Sequence, residues 1–310
     1  MPETQPAKDP IRTDVAVIGA GPVGLFAIFE CGMLRLRCHV VDALEAIGGQ
    51  CVALYPEKPI FDIPGYPRIE AAELIARLAE QARPFDPVYH LGQRVVALTR
   101  AGDGWLVETS VGTRISSRAV VIAGGAGAFG PNRPPLAGLE RYENRSVFYL
   151  VQRRQDFAGK RVVIAGGGDS AVDWAVSLAD VAAHVMVVHR RDKFRAAPES
   201  VMRMRKLAAE GRIEMVVPYQ LAGLEGNDGA LSGVRVATLD GEERLLAADR
   251  LLPFFGLAME LGPIADWDID LAHGHIAVEP ASCATNLPGV FAVGDIASYP
   301  GKLKLILTGF

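Results

Sequence analysis

Short, almost wholly apolar runs alternate along the chain with longer stretches of mixed polarity. Residues 15–18 and 38–41 form two such runs, and residues 161–165 and 184–188 form another two at a matching separation. Runs of this kind are typical of parallel strands that are buried on both faces, and a helix between two of them completes a crossover. The pattern therefore predicts an α/β protein in which one strand, helix and strand unit occurs twice.

A second pattern, in which apolar and polar residues alternate, follows the first of these units. Residues 94–99, 105–109 and 114–116 alternate in this way and are separated by glycine turns, which predicts an antiparallel meander. Residues 119–123 are again apolar throughout. We expect them to return to the first sheet as a strand of their own.

A glycine-rich turn follows the first apolar run. Gly19, Gly21 and Gly24 have GxGxxG spacing, in which the three glycines allow a tight turn, the approach of a pyrophosphate and close helix packing, in that order. The helix N-terminus directs free N–H groups at the phosphates. Asp42 ends the next strand, where a carboxylate accepts hydrogen bonds from ribose hydroxyls. The stretch predicts a dinucleotide site, the alternative being a glycine turn that binds nothing.

The same turn recurs later, but the strand behind it ends in basic residues. The second site comprises the following residues: Gly166, Gly168, Asp169, Ser170, His189, Arg190, Arg191 and Arg195. Arginines at this point can bind the 2′-phosphate of NADPH through charge-assisted bonds, whereas a carboxylate would repel it. We interpret His189 as a binding residue. The sequence thus predicts NADPH here, the alternative being a solvated basic loop.

The two sites predict the fold class and the domains. The fold class is α/β with two nested Rossmann-like dinucleotide-binding domains in three layers, accompanied by antiparallel meanders. A chain of 310 residues is long for one hydrophobic core, and residues 130–145 have the proline and charge content of a linker. The predicted domains are 11–128 with 247–310 for the first dinucleotide, and 131–246 for NADPH. The apolar segment 251–256 is expected to mark the return to the first domain.

Charge and hydropathy exclude several classes of protein. The formal net charge of -4 argues against a general nucleic-acid binder, and no apolar run reaches the roughly 18 residues of a membrane span. The N-terminal MPETQPAKDP lacks the apolar core of a secretion signal and is expected to form a short solvated tail. The predicted location is the cytoplasm.

The cysteines predict neither a metal site nor a dithiol motif. Cys31, Cys38, Cys51 and Cys283 include no Cys-x-x-Cys pair and no zinc-binding spacing. We therefore expect buried free thiols. Cys51 stands apart, because it follows a glycine-rich loop at residues 48–49 near the first dinucleotide site.

Several motifs together resemble the thioredoxin-reductase-like flavoproteins. They are the strand AVVIAGGAGA, the turn GGGDSAVDWA, the basic segment HRRDKFR and the late segment TNLPGVFAVGD. The resemblance covers nearly the whole chain and implies FAD at the first site and NADPH at the second. It also implies that Asp295, in the last Gly-Asp pair, contacts the sugar-alcohol chain of the flavin.

One departure distinguishes this chain from the thioredoxin reductases themselves. They carry a Cys-x-x-Cys just before the second glycine turn, where this chain has FYLVQ at residues 148–152, so no relay from flavin to a disulfide is expected. The segments GGQCVALYPEKPIFDIPGYP, GAFGP and GKLKLILTGF resemble the ferredoxin–NADP reductases of the same architecture. Tyr55 is then expected to stack on the flavin. The FAD positions that this resemblance assigns are Gly49, Gln50, Tyr55, Val95 and Phe129.

The resemblance implies a function. NADPH would give a hydride to FAD, which would pass single electrons to ferredoxin, an acidic iron–sulfur protein. Because the cofactor carries this chemistry, no catalytic side chain is nominated. We also expect a homodimer. An acidic partner calls for a basic patch, for which the candidates are Arg153, Arg154, Lys160, Lys302 and Lys304.

Two alternatives remain open at this level. One is an NADPH-dependent reductase of quinones, small flavins or, through Cys51, a disulfide. The other is a cofactor-binding protein without turnover, because the family continues beyond Phe310 with a helix and a tail that cover the flavin.

Overall fold

The chain forms two compact units. The computed structural model describes residues 9–125 and 127–310, without the side chains of residues 128–130 and 257–259. Unit 1 consists of Met1–Phe129 and Met259–Phe310, and unit 2 of Gly130–Ala258. Unit 1 is therefore assembled from two separate segments, whereas unit 2 is continuous.

Helices and strands have the following bounds. The helices that the structure describes are α1 (Pro22–Met33), α2 (Gln50–Ala53), α3 (Ala71–Ala82), α4 (Asp169–Leu178) and α5 (Pro198–Ala209). The strands up to the first crossing are β1 (Ile11–Ile18), β2 (Cys38–Val41), β3 (Pro59–Ile60), β4 (Ile69–Glu70), β5 (Val88–His90), β6 (Val95–Ala101), β7 (Gly104–Thr109), β8 (Arg114–Ile122) and β9 (Ala128–Pro131). Those that follow are β10 (Arg161–Ala165), β11 (His184–Val188), β12 (Ile213–Val216), β13 (Gln220–Asn227), β14 (Ala230–Ala237), β15 (Glu243–Ala247), β16 (Arg250–Pro253), β17 (Leu257–Glu260), β18 (Leu271–Ala272), β19 (His275–Ala277), β20 (Val290–Ala292) and β21 (Ala297–Ser298). Within the described ranges, no helix combines the length and apolar character needed to cross a membrane.

The main sheet of unit 1 has the order β5-β2-β1-β8-β7-β6, with β20 also paired to β8. The pairs of β1 with β2 and β8, of β2 with β5 and of β8 with β20 are parallel, and β6, β7 and β8 run antiparallel. On one edge, β8 pairs with β7 through residues 114–117 and with β20 through residues 120–122. The prediction of two separate strands at 114–116 and 119–123 is wrong, because Arg114–Ile122 form one strand that pairs with β1 on both sides of Arg118.

Both faces of this sheet are covered. Val15 and Val17 belong to one buried cluster, which also contains side chains of α1 and α3, while Ala16 and Ile18 belong to a second cluster with Val107 of the meander. Successive side chains of a strand point to opposite faces, so both sets of positions on β1 must be apolar. Burial on both faces therefore explains why the apolar run at residues 15–18 is unbroken.

Unit 2 contains a parallel sheet of order β12-β11-β10-β16 and an antiparallel sheet of order β13-β14-β15. Strand β16 pairs with β10 in the register Val163 with Leu251, and both Leu251 and Leu252 are fully buried. The interpretation of residues 251–256 as a return to the first domain is therefore wrong. An apolar run identifies a buried strand but not the sheet that it joins.

Two histidines face each other on β2 and β5 of unit 1. His39 Nδ1 lies 2.9 Å from His90 Nε2, and the rings are stacked with centroids 5.2 Å apart. Burial lowers the pKa of both side chains, and the proximity of His90 and Arg37 lowers the pKa of His39 further. The fold thus favours a neutral pair in which one ring nitrogen donates and the other accepts.

This pair should make the stability of the protein depend on pH. We expect the free energy of unfolding to fall as the pH drops below about 6.5, because the unfolded histidines bind protons that the folded pair resists. Urea unfolding midpoints between about pH 8 and pH 5 measure this. A His39→Gln, His90→Gln double variant should flatten the dependence, and His273→Asn, at an exposed position, should not. An unchanged slope in the double variant would contradict the assignment.

Candidate functional site

The first glycine turn of unit 1 combines two crowded positions with an open one. Gly19 has a φ of +108°, and a Cβ there would lie 2.4 Å from the carbonyl oxygen of Ala123; a Cβ on Gly24 would lie 1.9 Å from the carbonyl oxygen of Gly19. Gly21 is the N-cap of α1, and a Cβ there would meet no atom within 4 Å. The outer glycines therefore serve packing, while Gly21 borders free space at the helix N-terminus, where an anion is stabilised.

Three further segments meet the same helix end. A Cβ added to Gly49 would lie 3.1 Å from Gly21 Cα, and a Cβ added to Gly294 would lie 3.1 Å from Val23 Cγ2. A Cβ on Gly125 would lie 3.5 Å from Gln50 Nε2. The structure thus brings the loop of Gly49 and Gln50, the end of β8 and the turn before Asp295 together around α1, although they are far apart in the sequence.

Asp42 is tied to the backbone around this turn. Its Oδ2 accepts a hydrogen bond from the Ala20 N–H at 2.6 Å and its Oδ1 accepts one from Leu44 at 2.8 Å. Burial raises the pKa of the carboxyl group, against the two backbone bonds that lower it, and only 9% of the residue is exposed. The carboxylate keeps further lone pairs that can accept hydrogen bonds from ribose hydroxyls. That contact stays a prediction.

Tyr55 lies among ionisable groups, one of which is Asp295. Burial raises the pKa of the Tyr55 hydroxyl, and the neighbouring Cys51 and Asp295 raise it further. The Cys51 thiol is buried, which raises its pKa to about 11. Lys58 Nζ lies 5.6 Å from the centre of the Tyr55 ring. At neutral pH both the phenol and the thiol are therefore uncharged.

Lys302 has a role that the sequence did not indicate. It was a candidate for the exposed basic patch, but its ammonium group is partly buried and donates hydrogen bonds to the carbonyl oxygens of Gly294 at 2.6 Å and Ala297 at 2.5 Å. Burial lowers its pKa, partly offset by Asp295. Lys302 therefore holds the turn that carries Asp295. Its only signal in the sequence was its place shortly after the Gly-Asp pair.

For two other residues predicted to contact FAD, the structure does not test the contact. Val95 opens β6 and is buried in the sheet core, where it pairs with Thr109. Phe129 lies in β9, and its side chain is outside the described part of the structure. Their contacts with FAD stay predictions.

The second glycine turn, in unit 2, repeats the arrangement of the first. Gly166 has a φ of +154° and a Cβ there would lie 2.6 Å from the carbonyl oxygen of Phe254, whereas Gly168, the N-cap of α4, borders open space. Asp169 Oδ1 accepts a hydrogen bond from the Ala197 N–H at 2.8 Å, which fastens the loop after β11 to the start of α4. Ser170 is exposed beside it on the first turn of the helix.

His189 covers the second turn instead of extending from it. A Cβ on Gly167 would lie 2.3 Å from the His189 ring, which also packs on Phe194 with centroids 4.8 Å apart. Burial lowers the pKa of His189, and three nearby guanidinium groups contribute. The imidazole is thus a neutral wall of the turn.

Those guanidinium groups belong to Arg190, Arg191 and Arg195. All three residues are exposed. Among the residues that the structure describes, none forms a side-chain hydrogen bond or ion pair with them, and Arg195 is fixed through its backbone N–H to the Gly167 carbonyl at 2.7 Å. A cluster of positive charge without a protein partner, beside a glycine turn, is suited to bind a phosphate.

The position of the missing dithiol is occupied by packed side chains. Val151 is fully buried, and the Tyr149 hydroxyl donates a hydrogen bond to Glu143 at 2.6 Å. The four cysteines of the chain all fall outside Gly130–Ala258 and are free thiols. Unit 2 therefore contains no sulfur nucleophile.

Comparison with known proteins adds independent information. Residues 13–308 match the family described as pyridine nucleotide-disulphide oxidoreductase. The chain is 64% identical over 300 residues to a ferredoxin–NADP reductase of Paramagnetospirillum magneticum, with 96% of this chain and 89% of that one covered. A ferredoxin–NADP reductase of Rhodospirillum rubrum is 63% identical over 305 residues, with 97% and 88% covered.

A solved structure confirms the predicted fold class. The thioredoxin reductase of T. acidophilum superposes with a TM-score of 0.85 at 23% identity, covering 96% of this chain and 94% of that one. Identity at this level is evidence for the fold alone. The architecture is the two-domain α/β fold with mixed sheets of that protein.

Proposed function

The chain belongs to the ferredoxin–NADP reductases of the pyridine nucleotide-disulphide oxidoreductase family, and from this premise we propose that it carries electrons between NADPH and ferredoxin. It is an oxidoreductase that uses FAD and NADPH. The observation that carries the proposal is the second turn. Beside it lie three arginines that make no ion pair with a described residue, in a unit whose sequence has no cysteine. An NADPH site with no dithiol fits delivery of electrons to a carrier other than a disulfide.

We assign NADPH to unit 2. The free space at Gly168 and the N-terminus of α4 suit the pyrophosphate, and Arg190 and Arg191 suit the 2′-phosphate. His189 keeps the turn closed by packing on Gly167. Asp169 and the backbone of Arg195 hold the basic loop against α4 and the turn.

We assign FAD to unit 1. Gly21 leaves room for the pyrophosphate at α1, the segments of Gln50 and Asp295 meet the same helix end, and Tyr55 lies near Asp295. Held by these residues, FAD would supply the chemistry that couples a two-electron hydride donor to a one-electron acceptor. Lys302 fixes the turn of Asp295 through two carbonyl oxygens. The neutral phenol of Tyr55 offers a ring for stacking without a charge beside it.

The geometry speaks against reduction of a disulfide through Cys51. A thiol with a pKa of about 11 is almost wholly protonated at neutral pH, and it is the thiolate that attacks a disulfide. Its ionisable neighbours are Tyr55, Lys58, Asp62 and Asp295, and they include no second cysteine. The disulfide alternative therefore lacks both the nucleophile and its partner.

Fewer basic residues are candidates for contact with ferredoxin than the sequence indicated. Of the five candidate residues, Arg153 pairs with Asp156 at 3.0 Å and Arg154 donates to the Ser177 carbonyl at 2.6 Å. Lys302 is engaged in the Asp295 turn. Lys160 and Lys304 remain as candidates for contact with an acidic partner, so turnover with ferredoxin should weaken as salt rises.

Steady-state oxidation of NADPH with ferredoxin, thioredoxin and a quinone in parallel tests the proposal. We expect ferredoxin to support turnover and thioredoxin to support none. Faster turnover with the quinone would favour the reductase alternative. A protein that binds FAD yet oxidises no NADPH even with ferricyanide would be a binding protein without turnover.

Oligomeric state and location complete the proposal. Phe26, Ile63, Tyr66, Leu307 and Phe310 line an apolar groove in unit 1, which supports association of two copies. Four free thiols are typical of a reducing compartment such as the cytoplasm. Light scattering coupled to gel filtration would decide between a monomer and the homodimer that we propose.

A further inference from the structure

The loop between β11 and α5 carries the basic residues of the second site. Its second half is attached to the glycine turn, where the Arg195 N–H donates a hydrogen bond to the Gly167 carbonyl at 2.7 Å. Its first half carries Arg190 and Arg191, which are assigned to the 2′-phosphate. Asp192 follows them directly in the sequence. The first half of the loop thus contains two charges that attract a phosphate and one that repels it.

Arg205 of α5 binds this acidic residue. Its Nη2 atom donates one hydrogen bond to the Asp192 carboxylate and one to the Asp192 backbone carbonyl, each at 3.1 Å. The preceding residue, Met204, is fully buried, so α5 is anchored by its inner face. The contact therefore ties the half of the loop that carries Arg191 to a helix packed in unit 2.

The contact between Arg205 and Asp192 is exposed. The side chains are 53% and 84% exposed, respectively, and an ion pair in such surroundings is screened by water and stabilises a fold little. Its effect on a ligand is a separate matter, because the same guanidinium group neutralises a carboxylate and fixes the backbone directly beside the phosphate-binding arginines.

We propose that Arg205 is a positioning residue for the 2′-phosphate of NADPH, an inference that rests on the assignment of NADPH to unit 2. It acts through Asp192 in two ways. Its charge offsets that of the carboxylate, which would otherwise repel the phosphate or pair with Arg190 and Arg191. Its bond to the backbone carbonyl restricts the loop before the nucleotide binds, which reduces the entropy lost on binding.

Calorimetric titration with adenosine 2′,5′-bisphosphate and with 5′-AMP tests the proposal without recourse to turnover. The first ligand carries the 2′-phosphate, the second lacks it, and neither accepts a hydride. We expect Arg205→Ala to weaken binding of the bisphosphate about three- to fivefold and to leave binding of 5′-AMP unchanged. Arg205→Lys, which keeps the charge, should recover part of the loss. Equal effects on the two ligands, or no effect on either, would overturn the proposal.

An Asp192→Asn background separates positioning from direct contact with the phosphate. Because Arg205 acts through the carboxylate, Arg205→Ala should weaken bisphosphate binding less in this background than in the wild-type protein. An Arg205 side chain that touched the phosphate itself would lose the same factor in both backgrounds, and this result would contradict the positioning role.

Arg212→Ala is the matched control. Arg212 is also an exposed arginine of unit 2 that donates to an aspartate carboxylate, that of Asp180, and to a backbone carbonyl, that of Ala179 at 3.3 Å. These partners follow the C-terminal end of α4, opposite the glycine turn. Arg212→Ala should change thermal stability as little as Arg205→Ala does and should leave both affinities unchanged. A matching loss of bisphosphate affinity would mean that removal of any such arginine suffices, which would refute the specific role of Arg205.

The double variant Arg190→Ala, Arg191→Ala distinguishes failure of this proposal from failure of the site itself. If the double variant weakens bisphosphate binding and Arg205→Ala does not, the site stands and the role of Arg205 is wrong. If neither change weakens it, the assignment of the 2′-phosphate is wrong, and the role of Arg205 is wrong with it.

Discussion

A Gly21→Asp variant is expected to fold but to lose FAD. Gly21 has a φ of -71°, which any residue can adopt, and a Cβ there meets no protein atom within 4 Å. The added carboxylate would occupy the space assigned to the pyrophosphate and repel it. We expect the dissociation constant for FAD to rise about 100-fold or more. The flavin-to-protein absorbance ratio of the purified variant, followed by titration of the apoprotein with FAD, measures this.

Gly168→Asp provides the reciprocal control. Gly168 has the same open surroundings at the start of α4 and a φ of -95°. This variant should retain FAD and lose affinity for NADPH instead. Circular dichroism and thermal unfolding of both variants should match the wild-type apoprotein. Undiminished FAD binding by Gly21→Asp would show that the flavin phosphates lie elsewhere.

Removal of Arg190 and Arg191 is expected to change the choice of nucleotide. The two guanidinium groups make no ion pair with a described residue, so their loss should cost the fold little. Replacing both by alanine should raise the KM for NADPH about tenfold or more, because two charge-assisted hydrogen bonds to the 2′-phosphate are lost. The KM for NADH should change little.

The control for this variant is Arg235→Ala. Arg235 is an exposed arginine on β14 whose nearest acidic partner, Glu225, is 3.7 Å away, and its removal lowers the charge of the same unit. It should leave both KM values near those of the wild type. Equal effects of the Arg190 and Arg191 substitutions on NADPH and NADH would refute the assignment of the 2′-phosphate.

The sequence predicted those features that a single backbone requirement imposes. Gly19 and Gly166 have positive φ angles and face carbonyl oxygens at distances that exclude a Cβ, so only glycine fits. The strand that precedes each turn is buried on both faces and must be apolar throughout. These local requirements were enough to predict the fold class and both glycine turns.

The sequence could not predict which of several possible partners a side chain takes. Asp42 binds the N–H groups of Ala20 and Leu44, and Asp169 binds that of Ala197. Lys302 is in the same situation, because its charge suggested a surface role while its neighbours in space are carbonyl oxygens. Such choices depend on contacts between distant segments, and residue type alone does not encode them.

The pairing of β8 with β20 has a consequence for the order in which the two units can fold during synthesis. Residues 290–292 of β20 leave the ribosome after the whole of unit 2, whose four parallel strands are all present by Pro253. Unit 2 can therefore complete its sheet first, since domains generally fold as units during synthesis. Until β20 arrives, the edge of β8 at residues 120–122 stays unpaired, and an open strand edge of this kind promotes aggregation. The nascent protein should thus depend most on chaperones in the interval between synthesis of unit 2 and arrival of the segment that carries Asp295.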